Sequence, residues 1–497
     1  MPDVDKYEIL VLGSGEAGKY LAWTMAKEGR RTALVERRWL GGSCPNIACL
    51  PSKNLIHSAK VASLARRGPE FGVEIDSLRI NMAGVQLRKR EMVEGLHQLH
   101  AERFAASGVE LMMGEGRFVV PRTVEVALKD GATRRLVGER VFLTLGSHST
   151  MPNVPGLAAA NPMSHIEALE LDRLPGHLIV IGGGYVGLEL AQAMRRFGSQ
   201  VTVIEAETQL AGREDPDVGA ALLDLFHEEG IEVLLGTSIV QIEGRSGEKV
   251  RVNVKDGRGE RIIEGTDLLV ATGRTPNTKG IGLDQVGVEL DGHGYIKVND
   301  RLETTAANVW AMGDCAGSPQ FTHVAYNDFR VVHENLNGGN RTTKDRLVPL
   351  CMFTDPELAR VGRNESEARR DGVEYRVAKM PMAAVLRTRT ISEPRGFMKM
   401  LIRKDSDEIL GFTAFGVEAS ELMAAVQTAM VGRMPFTMLR DAIFTHPTIS
   451  EGLVFLLGQV KSLKKVSRKR KARLRRCLRL SLMRGGYAAW LNRKRDA

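Results

Sequence analysis

Apolar residues gather into short runs near the start of the chain, and the first run ends in a glycine-rich turn. Residues 9–12 are followed by GSGEAG and then by apolar positions at helical spacing. A second apolar run ends at Glu36. Continuous apolar runs are typical of strands that are buried on both faces of a parallel sheet. The pattern therefore predicts a strand, a glycine turn, a helix and a second strand.

The same unit occurs again in HLIVIGGGYVGLELAQAMRRFGSQVTVIEAE. In both copies an acid follows the first glycine by 23 residues, at Glu36 and at Glu205. Such glycines let the backbone turn tightly and approach a pyrophosphate, and the acid accepts ribose hydroxyls. Two copies predict two bound dinucleotides, one in each of two α/β domains. The glycines concerned are Gly13, Gly15, Gly18, Gly182, Gly184 and Gly187.

A cysteine pair lies directly after the first unit, in GGSCPNIACLPSK at residues 41–53. The chain has only five cysteines, which suits a reducing compartment, where a close pair is more often catalytic or metal-binding than structural. A zinc site needs further ligands, and Cys315, Cys351 and Cys477 are isolated in the sequence. The pattern favours a redox pair over a zinc site or a structural disulfide. The motif order suggests FAD first and NAD(P)H second, since a flavin passes electrons from nicotinamide to a disulfide.

Composition and charge separate the body of the chain from its end. A length of 497 residues with 43% hydrophobic content suggests about three or four globular domains. We find no signal peptide, and the most apolar stretch, residues 178–194, contains an acid and several glycines, so we expect a cytoplasmic protein. From residue 459 onward there are fifteen Lys or Arg and one acid, a charge of +14 against −5 for the rest. We expect a solvated tail, with weak contact to nucleic acid or an anionic membrane as the alternative.

Taken together, these features resemble the class I pyridine nucleotide-disulfide oxidoreductases, which include dihydrolipoyl dehydrogenase, glutathione reductase and mercuric reductase. The resemblance also rests on ATGRTPNT at 271–278, VWAMGDCAG at 309–317, FTDPELARVG at 353–362 and FTHPTISEG at 444–452. The cysteine motif, REDPDV and FTHVAYNDFR are most similar to the mercuric-reductase-like branch. The resemblance implies an α/β fold with two Rossmann-like FAD and NAD(P) domains and an α+β C-terminal dimerisation domain.

The resemblance also implies domain boundaries and a homodimer. The FAD-binding domain would occupy residues 1–150 and resume at 276–345, with the NAD(P)-binding domain between them at 151–275. The interface domain would span 346–458, and the basic tail would follow at 459–497.

The implied catalytic residues begin with the cysteines. Cys49 starts an apparent helix, where the helix dipole and free N–H groups favour a thiolate. By resemblance Cys49 faces the flavin and Cys44 is the outer thiol that attacks the substrate. Lys53 would pair with Glu189 beside the flavin. His446, oriented by Glu451, would act as acid and base at the cysteines of the partner subunit, because imidazole titrates near neutral pH.

The remaining implied residues bind cofactors rather than substrate. Tyr185 would cover the nicotinamide side of the flavin until the cofactor enters, and Asp314 would bind the FAD ribityl chain. Glu205, with Glu207 nearby, favours NADH over NADPH, although Arg213 lies close in sequence. No metal ligands are predicted. The cofactor set comprises both glycine triplets with Glu36, Lys53, Gly116, Ser147, Tyr185, Glu189, Glu205, Gly273, Arg274, Asp314 and His323.

The expected function is electron transfer from NAD(P)H through FAD and the Cys44–Cys49 disulfide to a disulfide, a small molecule or a soft metal ion. The alternative is dihydrolipoyl dehydrogenase, which runs in the opposite direction with NAD. Several positions depart from the family pattern. Ala48 and Leu145 replace more usual residues, and His446 stands where mercuric reductases carry tyrosine. The chain also lacks the C-terminal cysteine pair of those enzymes, which puts mercury in doubt as the substrate.

Overall fold

The computed structural model describes residues 4–461, and it contains two units built around parallel sheets followed by a unit built around an antiparallel sheet. The α/β fold class is confirmed. The domain boundaries given above stay predictions.

The strands carry most of the buried apolar runs. In chain order they are β1 (Val4–Leu12), β2 (Thr32–Glu36), β3 (Glu110–Val120), β4 (Thr123–Leu128), β5 (Thr133–Leu143), β6 (Ser147–Ser149), β7 (His177–Ile181), β8 (Gln200–Ile204), β9 (Glu232–Leu234), β10 (Ser238–Arg245), β11 (Lys249–Asp256), β12 (Gly259–Gly265), β13 (Asp267–Val270), β14 (Arg274–Pro276), β15 (Val309–Ala311), β16 (Leu350–Met352), β17 (Glu357–Gly362), β18 (Tyr375–Pro381), β19 (Phe397–Arg403) and β20 (Ile409–Gly416).

The helices cover the sheets and begin at the functional motifs. They are α1 (Glu16–Lys27), α2 (Ser43–Asn46), α3 (Cys49–Arg66), α4 (Met82–Ser107), α5 (His165–Leu169), α6 (Tyr185–Phe197), α7 (Pro216–Glu228), α8 (Thr322–Leu336), α9 (Glu365–Arg370), α10 (Leu386–Thr390), α11 (Ala419–Val431), α12 (Phe436–Arg440) and α13 (Gly452–Gly458).

In the first sheet, β1 lies at the centre and pairs in parallel with β2 and β5. β3 extends it beyond β2, and β15 extends it beyond β5, also in parallel. β4 connects β3 to β5 with antiparallel pairing. Since β15 follows the whole second sheet in sequence, the chain returns to the first unit after completing the second.

The second unit repeats the first in reduced form. Its parallel sheet has the order β13-β7-β8-β9, and an antiparallel sheet of β10, β11 and β12 packs beside it. The central strand β7 is apolar except at its first residue, and its last four residues are buried, as expected of a parallel strand that is covered on both faces. The short antiparallel pair of β6 and β14 lies where the chain passes between the two units.

The third unit has a five-stranded sheet of order β16-β17-β20-β19-β18, and α11, α12 and α13 pack on it. Every residue of β20 is buried. Several large apolar side chains of this unit are nevertheless exposed, among them Val431, Met438, Ile443 and Phe455.

A buried lysine joins the second and third units. Lys399 in β19 is fully buried, and its ammonium lies 2.8 Å from Asp215, 3.0 Å from Asp217 and 3.0 Å from Glu365. Both aspartates belong to the second unit, at the start of α7, whereas Glu365 begins α9 of the third. Because an unpaired buried charge is costly, this contact fixes how the two units sit together.

Two sequence predictions concern features outside this core. The basic tail from residue 462 onward lies outside the described residues. Within residues 4–461, no helix is both long enough and apolar enough to cross a membrane.

Candidate active site

The two glycine turns have nearly the same geometry. The first glycines, Gly13 and Gly182, have φ of +100° and +109°, a region that side chains rarely adopt. A Cβ on Gly18 or on Gly187 would lie 2.2 Å from the carbonyl oxygen of the first glycine in its own turn, so each helix packs directly on its strand end. The internal repeat is therefore one of backbone geometry as well as of sequence.

The middle glycines face open space, which suits a phosphate-binding turn. A Cβ on Gly184 would meet no atom within 4 Å, and one on Gly15 would meet only a carbonyl oxygen at 3.8 Å. Each glycine precedes the first residue of a helix, α1 or α6, so the free N–H groups of that helix point at the same space. Both turns therefore fit the pyrophosphate of a dinucleotide.

One cleft of about 2860 Å³ joins the two turns. A cavity several times larger than an ordinary small-molecule pocket has room for more than one extended ligand. The predicted site residues that line it are Gly15, Cys44, Cys49, Lys53, Gly182, Gly184, Tyr185, Glu189, Glu205, Gly273, Arg274, Asp314 and His323. Those that do not line it are Gly13, Gly18, Glu36, Gly116, Ser147, Gly187, His446 and Glu451.

The cysteines lie on two different helices. Cys44 belongs to the one-turn helix α2, which the sequence did not predict, and Cys49 is the first residue of α3. Both thiols are free and half-buried. No side chain among residues 4–461 caps the start of α3, so its first N–H groups are available to a charge at Cys49.

The two thiols differ in acidity because each is the other's hydrogen-bond partner. A hydrogen bond from Cys44 lowers the pKa of Cys49 despite the opposing effect of burial, and Thr322 and the charge of Lys53 lower it further. The same hydrogen bond and burial raise the pKa of Cys44. The first proton is therefore lost from Cys49, and Cys44 keeps its own.

Lys53 lies one turn beyond Cys49 on α3 and connects it to the second unit. Its ammonium is 2.8 Å from Oε2 of Glu189, which is buried on α6. The other oxygen of Glu189 accepts a hydrogen bond from the backbone N–H of Phe353 at 2.8 Å. Each part of this contact comes from a different unit, so the pair is held rigidly beside the cysteines.

Thr322 is a site residue that the sequence analysis missed. Its hydroxyl lies 3.3 Å from the sulfur of Cys49, although 273 residues separate the two in sequence. Thr322 is the first residue of α8 and stands in the quoted motif FTHVAYNDFR, next to the predicted His323. That motif was the available signal, but sequence alone does not show which of its side chains reaches the cysteines.

Further predicted cofactor residues form one hydrogen-bonded group around Ser147. The Ser147 hydroxyl donates to Asp314 and accepts from Nε of Arg274 at 2.7 Å.

The ring of His323 donates from Nε2 to the carbonyl oxygen of Pro349 at 2.8 Å. Gly116, by contrast, faces the apolar side chains of Val124 and Leu12 inside β3's sheet.

The two strand-end acids differ in how many acceptor positions they leave open. The buried Glu36 accepts from the backbone N–H and the hydroxyl of Ser14 and from the N–H groups of Arg38 and Trp39. These four donors fill about all the positions that a carboxylate offers, so a ribose would have to share them. Within the described residues, Glu205 accepts only from the N–H groups of Gly183 and Glu207, one on each oxygen.

His446 and Glu451 form a pair at the surface. Nδ1 of His446 lies 2.8 Å from Oε2 of Glu451, and the imidazole is 64% exposed whereas the carboxylate is buried. The carboxylate fixes the ring, and the opposite nitrogen is left for a reaction partner. Within one chain the pair lies outside the cleft that holds Cys44.

The residues described contain no group of three or more His, Cys, Asp or Glu side chains that could hold a metal ion.

Comparisons with known proteins agree with this geometry. Residues 7–328 match the model of the pyridine nucleotide-disulphide oxidoreductase family, and residues 348–456 match that of its dimerisation domain. This chain belongs to the pyridine nucleotide-disulfide oxidoreductase family. The predicted family is thus confirmed, and the third unit is its dimerisation domain, which supports a homodimer.

Individual relatives span almost the whole chain. The probable pyridine nucleotide-disulfide oxidoreductase RclA of Escherichia coli K12 is 34% identical, over 92% of this chain and 100% of its own length. A mercuric reductase of Acidithiobacillus ferrooxidans is 35% identical, over 91% of this chain and 82% of its own. The solved structure described as the Cu(II) complex of the HOCl-induced flavoprotein disulfide reductase RclA from E. coli matches with a TM-score of 0.84 and 32% identity, covering 92% of this chain and 100% of that one.

Membership of the family establishes the general chemistry. The chain is an oxidoreductase that uses FAD and NAD(P)H, as predicted from the two glycine turns and the cysteine pair. The cleft and its two phosphate-binding turns fit both cofactors.

Proposed function

We propose that this oxidoreductase passes electrons out through Cys44 and Cys49 to a disulfide or to a soft metal ion such as Cu(II). The observation that supports this is the cysteine pair itself. One thiol has a lowered pKa and the other a raised one, in the same cleft as both glycine turns. A thiolate held beside a thiol is the arrangement that dithiol–disulfide exchange requires.

The residues around Cys49 have separate roles in this proposal. FAD, when bound, would supply the electron pair of NAD(P)H, with which the cysteine disulfide opens to one thiol and one thiolate. Cys49 keeps the negative charge, because the start of α3, Thr322 and Lys53 all stabilise it. Glu189 holds Lys53 in place and keeps its charge from lying unpaired beside the cofactor.

Cys44 is the thiol that we assign to the substrate. Its raised pKa means that it needs a base before it can attack. We assign that role to His446 of the partner subunit, because His446 carries an exposed imidazole oriented by Glu451. Attack of Cys44 on a substrate disulfide releases one thiolate, which the protonated imidazole then neutralises. The Cys49 thiolate next attacks Cys44 in the mixed disulfide, which restores the Cys44–Cys49 disulfide and releases the second half of the substrate as a thiolate.

Two acceptor classes fit this site for different reasons. The His446–Glu451 pair favours a disulfide, since a leaving thiolate must be protonated. A soft metal ion fits the two sulfur ligands, and the similarity to a flavoprotein whose structure is described as a Cu(II) complex supports this class. Oxidation of dihydrolipoamide by NAD stays the alternative. NADH is the proposed donor, and the cytoplasm the proposed location.

Steady-state turnover with NADH separates these acceptors. The purified enzyme should be assayed with glutathione disulfide, lipoamide, Cu(II) and Hg(II), beside Cys44→Ser and a matched Cys351→Val variant. Cys351 also lines the cleft, but burial raises its pKa, so it is a poor nucleophile. We expect turnover with one acceptor class, lost in Cys44→Ser and kept in Cys351→Val. Turnover that persists in Cys44→Ser would show that electrons leave by another route.

A further inference from the structure

Tyr185 stands on the path between the two cofactor sites. It is the first residue of α6, directly after the open glycine Gly184, and it lines the cleft. Glu189 lies four residues further, on the same face of the helix, where it binds Lys53 beside Cys49. A nicotinamide that extends from the second glycine turn toward the cysteines must therefore pass the ring of Tyr185.

The Tyr185 hydroxyl is tied to a buried carboxylate. It donates a hydrogen bond of 2.9 Å to Oε1 of Glu214, which is only 4% exposed. Oε2 of Glu214 lies 2.9 Å from Nε of Arg360, but the N–H does not point at it, so this contact is one of charge alone. Among residues 4–461, the Tyr185 hydroxyl is the sole hydrogen-bond donor to this carboxylate.

Glu214 itself has little freedom to move. Arg360 is buried in β17 and also donates to Glu367 at 2.8 Å. The neighbouring Asp215 accepts from the backbone N–H groups at the start of α9. Glu214 is thus anchored to the dimerisation domain, whereas the half-buried Tyr185 ring borders the open cleft.

We propose that Glu214, held by Arg360, acts as a latch that keeps the Tyr185 ring across the nicotinamide path, and that the nicotinamide cofactor must break this latch to bind. Glu214 is a positioning residue here, since it acts through Tyr185 and does not touch the cofactor. The proposal rests on the use of NAD(P)H, which the family establishes, and is independent of the electron acceptor.

The energetics follow from burial. Moving the ring away leaves a buried carboxylate without a hydrogen-bond donor, and a bond to a charged acceptor is stronger than one between neutral groups. A cofactor that binds only the open form has its apparent affinity reduced by the fraction of protein that is open. The latch therefore weakens nicotinamide binding. Burial raises the pKa of Glu214 and that of Tyr185, in agreement with the low solvation of the pair.

Tyr185→Phe tests the latch, because it keeps the ring and removes the hydroxyl. Binding should be measured on the FAD-loaded protein with tetrahydro-NADH, an analogue that cannot transfer hydride. In this variant Glu214 lacks its hydrogen-bond donor whether the ring at position 185 covers the nicotinamide path or has moved away. The cost of the missing hydrogen bond is therefore the same in both forms and no longer favours the closed one. We expect the Kd to fall by about tenfold, the factor that corresponds to one charge-assisted hydrogen bond at the lower end of its range.

Tyr375→Phe is the matched control. Tyr375 also donates to a carboxylate, Oε2 of Glu365, at 3.0 Å, but it lies outside the cleft. Removing this hydroxyl should leave the Kd of the analogue unchanged. If both substitutions lowered the Kd of the analogue by the same factor, the change would come from a general loosening of the protein, and the latch proposal would be refuted.

Glu214→Gln and the double variant with Tyr185→Phe complete the test. The neutral amide accepts a weaker bond, so Glu214→Gln alone should lower the Kd by a smaller factor, and it should add nothing in the Tyr185→Phe background. An unchanged or increased Kd in Tyr185→Phe refutes the proposal. A full additional effect of Glu214→Gln in the double variant refutes it as well. Because no acceptor enters these measurements, they stand whatever the outcome of the acceptor assays.

Discussion

Thr322 offers a direct measure of how the protein stabilises the Cys49 thiolate. The oxygen–sulfur distance is 3.3 Å in a half-buried setting, and with Cys49 ionised the hydroxyl must be the donor. Hydrogen bonds to charged groups contribute about 1.5–3 kcal/mol, and we take the lower end because contacts to sulfur are longer. As one pKa unit is worth about 1.4 kcal/mol, Thr322→Val should raise the pKa of Cys49 by about one unit.

The sign of the effect follows from which form Thr322 stabilises. A donor to the thiolate lowers the pKa, so the thiolate persists to lower pH in the native protein and is lost as the pH falls through the lowered pKa. In Thr322→Val that loss should occur at a pH about one unit higher. The absorption band produced by a thiolate against oxidised flavin, followed against pH, measures the midpoint directly.

Thr322→Ser provides the control, since it retains the hydroxyl and removes only the methyl group. We expect its midpoint to stay near that of the native protein. The argument fails if Thr322→Val leaves the midpoint in place, or if Thr322→Ser shifts it by the same amount.

Four further outcomes are expected. Cys49→Ser should lose the thiolate–flavin band but keep FAD, as absorbance and flavin content will show; a surviving band contradicts the assignment of Cys49. The ratio of kcat/KM for NADH to that for NADPH should exceed one, because a 2′-phosphate would meet Glu205 and Glu207; a preference for NADPH would show that Arg213 or another cation outweighs these acids. The Cys44→Ser and His446→Ala variants, each inactive alone, should be mixed in equal amounts, dissociated and reassembled. Activity with a disulfide should recover to roughly a quarter of the native value, because random pairing makes about half the dimers mixed and each mixed dimer has one intact site. No recovery despite subunit exchange would place both residues in one chain's site. Deleting residues 462–497 should leave flavin content and turnover nearly unchanged, and a loss of FAD or of the dimer would contradict an independent tail.

The features that sequence predicted well are those encoded by neighbouring residues. Each glycine turn needs only a strand, a tight turn and a helix within about thirty residues, and this local pattern gave the α/β fold and both cofactors. The start of α3 at Cys49 was equally accessible, because the motif and its helical spacing are contiguous. The short helix α2 was missed, since four residues carry too little periodicity to be recognised.

Contacts between distant parts of the chain could not be worked out from residue spacing, and the pairing of Lys53 with Glu189 was expected only from the family resemblance. Thr322 approaches Cys49 only because β15 returns the chain to the first sheet before α8 begins. Likewise, the contact between Glu214 and Arg360 joins two units. Each residue lies in a quoted motif, REDPDV or FTDPELARVG, but neither motif shows that the two side chains meet.

The buried Lys399 limits how freely this protein's parts can be exchanged. Its one positive charge is shared by Asp215 and Asp217 of the second unit and by Glu365 of its own unit. A chimaera that takes the dimerisation domain from a relative without a lysine at this position would leave the buried Asp215 without its ion-pair partner. Removing one partner of a buried pair costs about 3–5 kcal/mol, a large share of a typical folding free energy. In recombination between relatives, the two aspartates and strand β19 with its Lys399 therefore have to be inherited together. A crossover between them would separate the acids from the lysine that neutralises them.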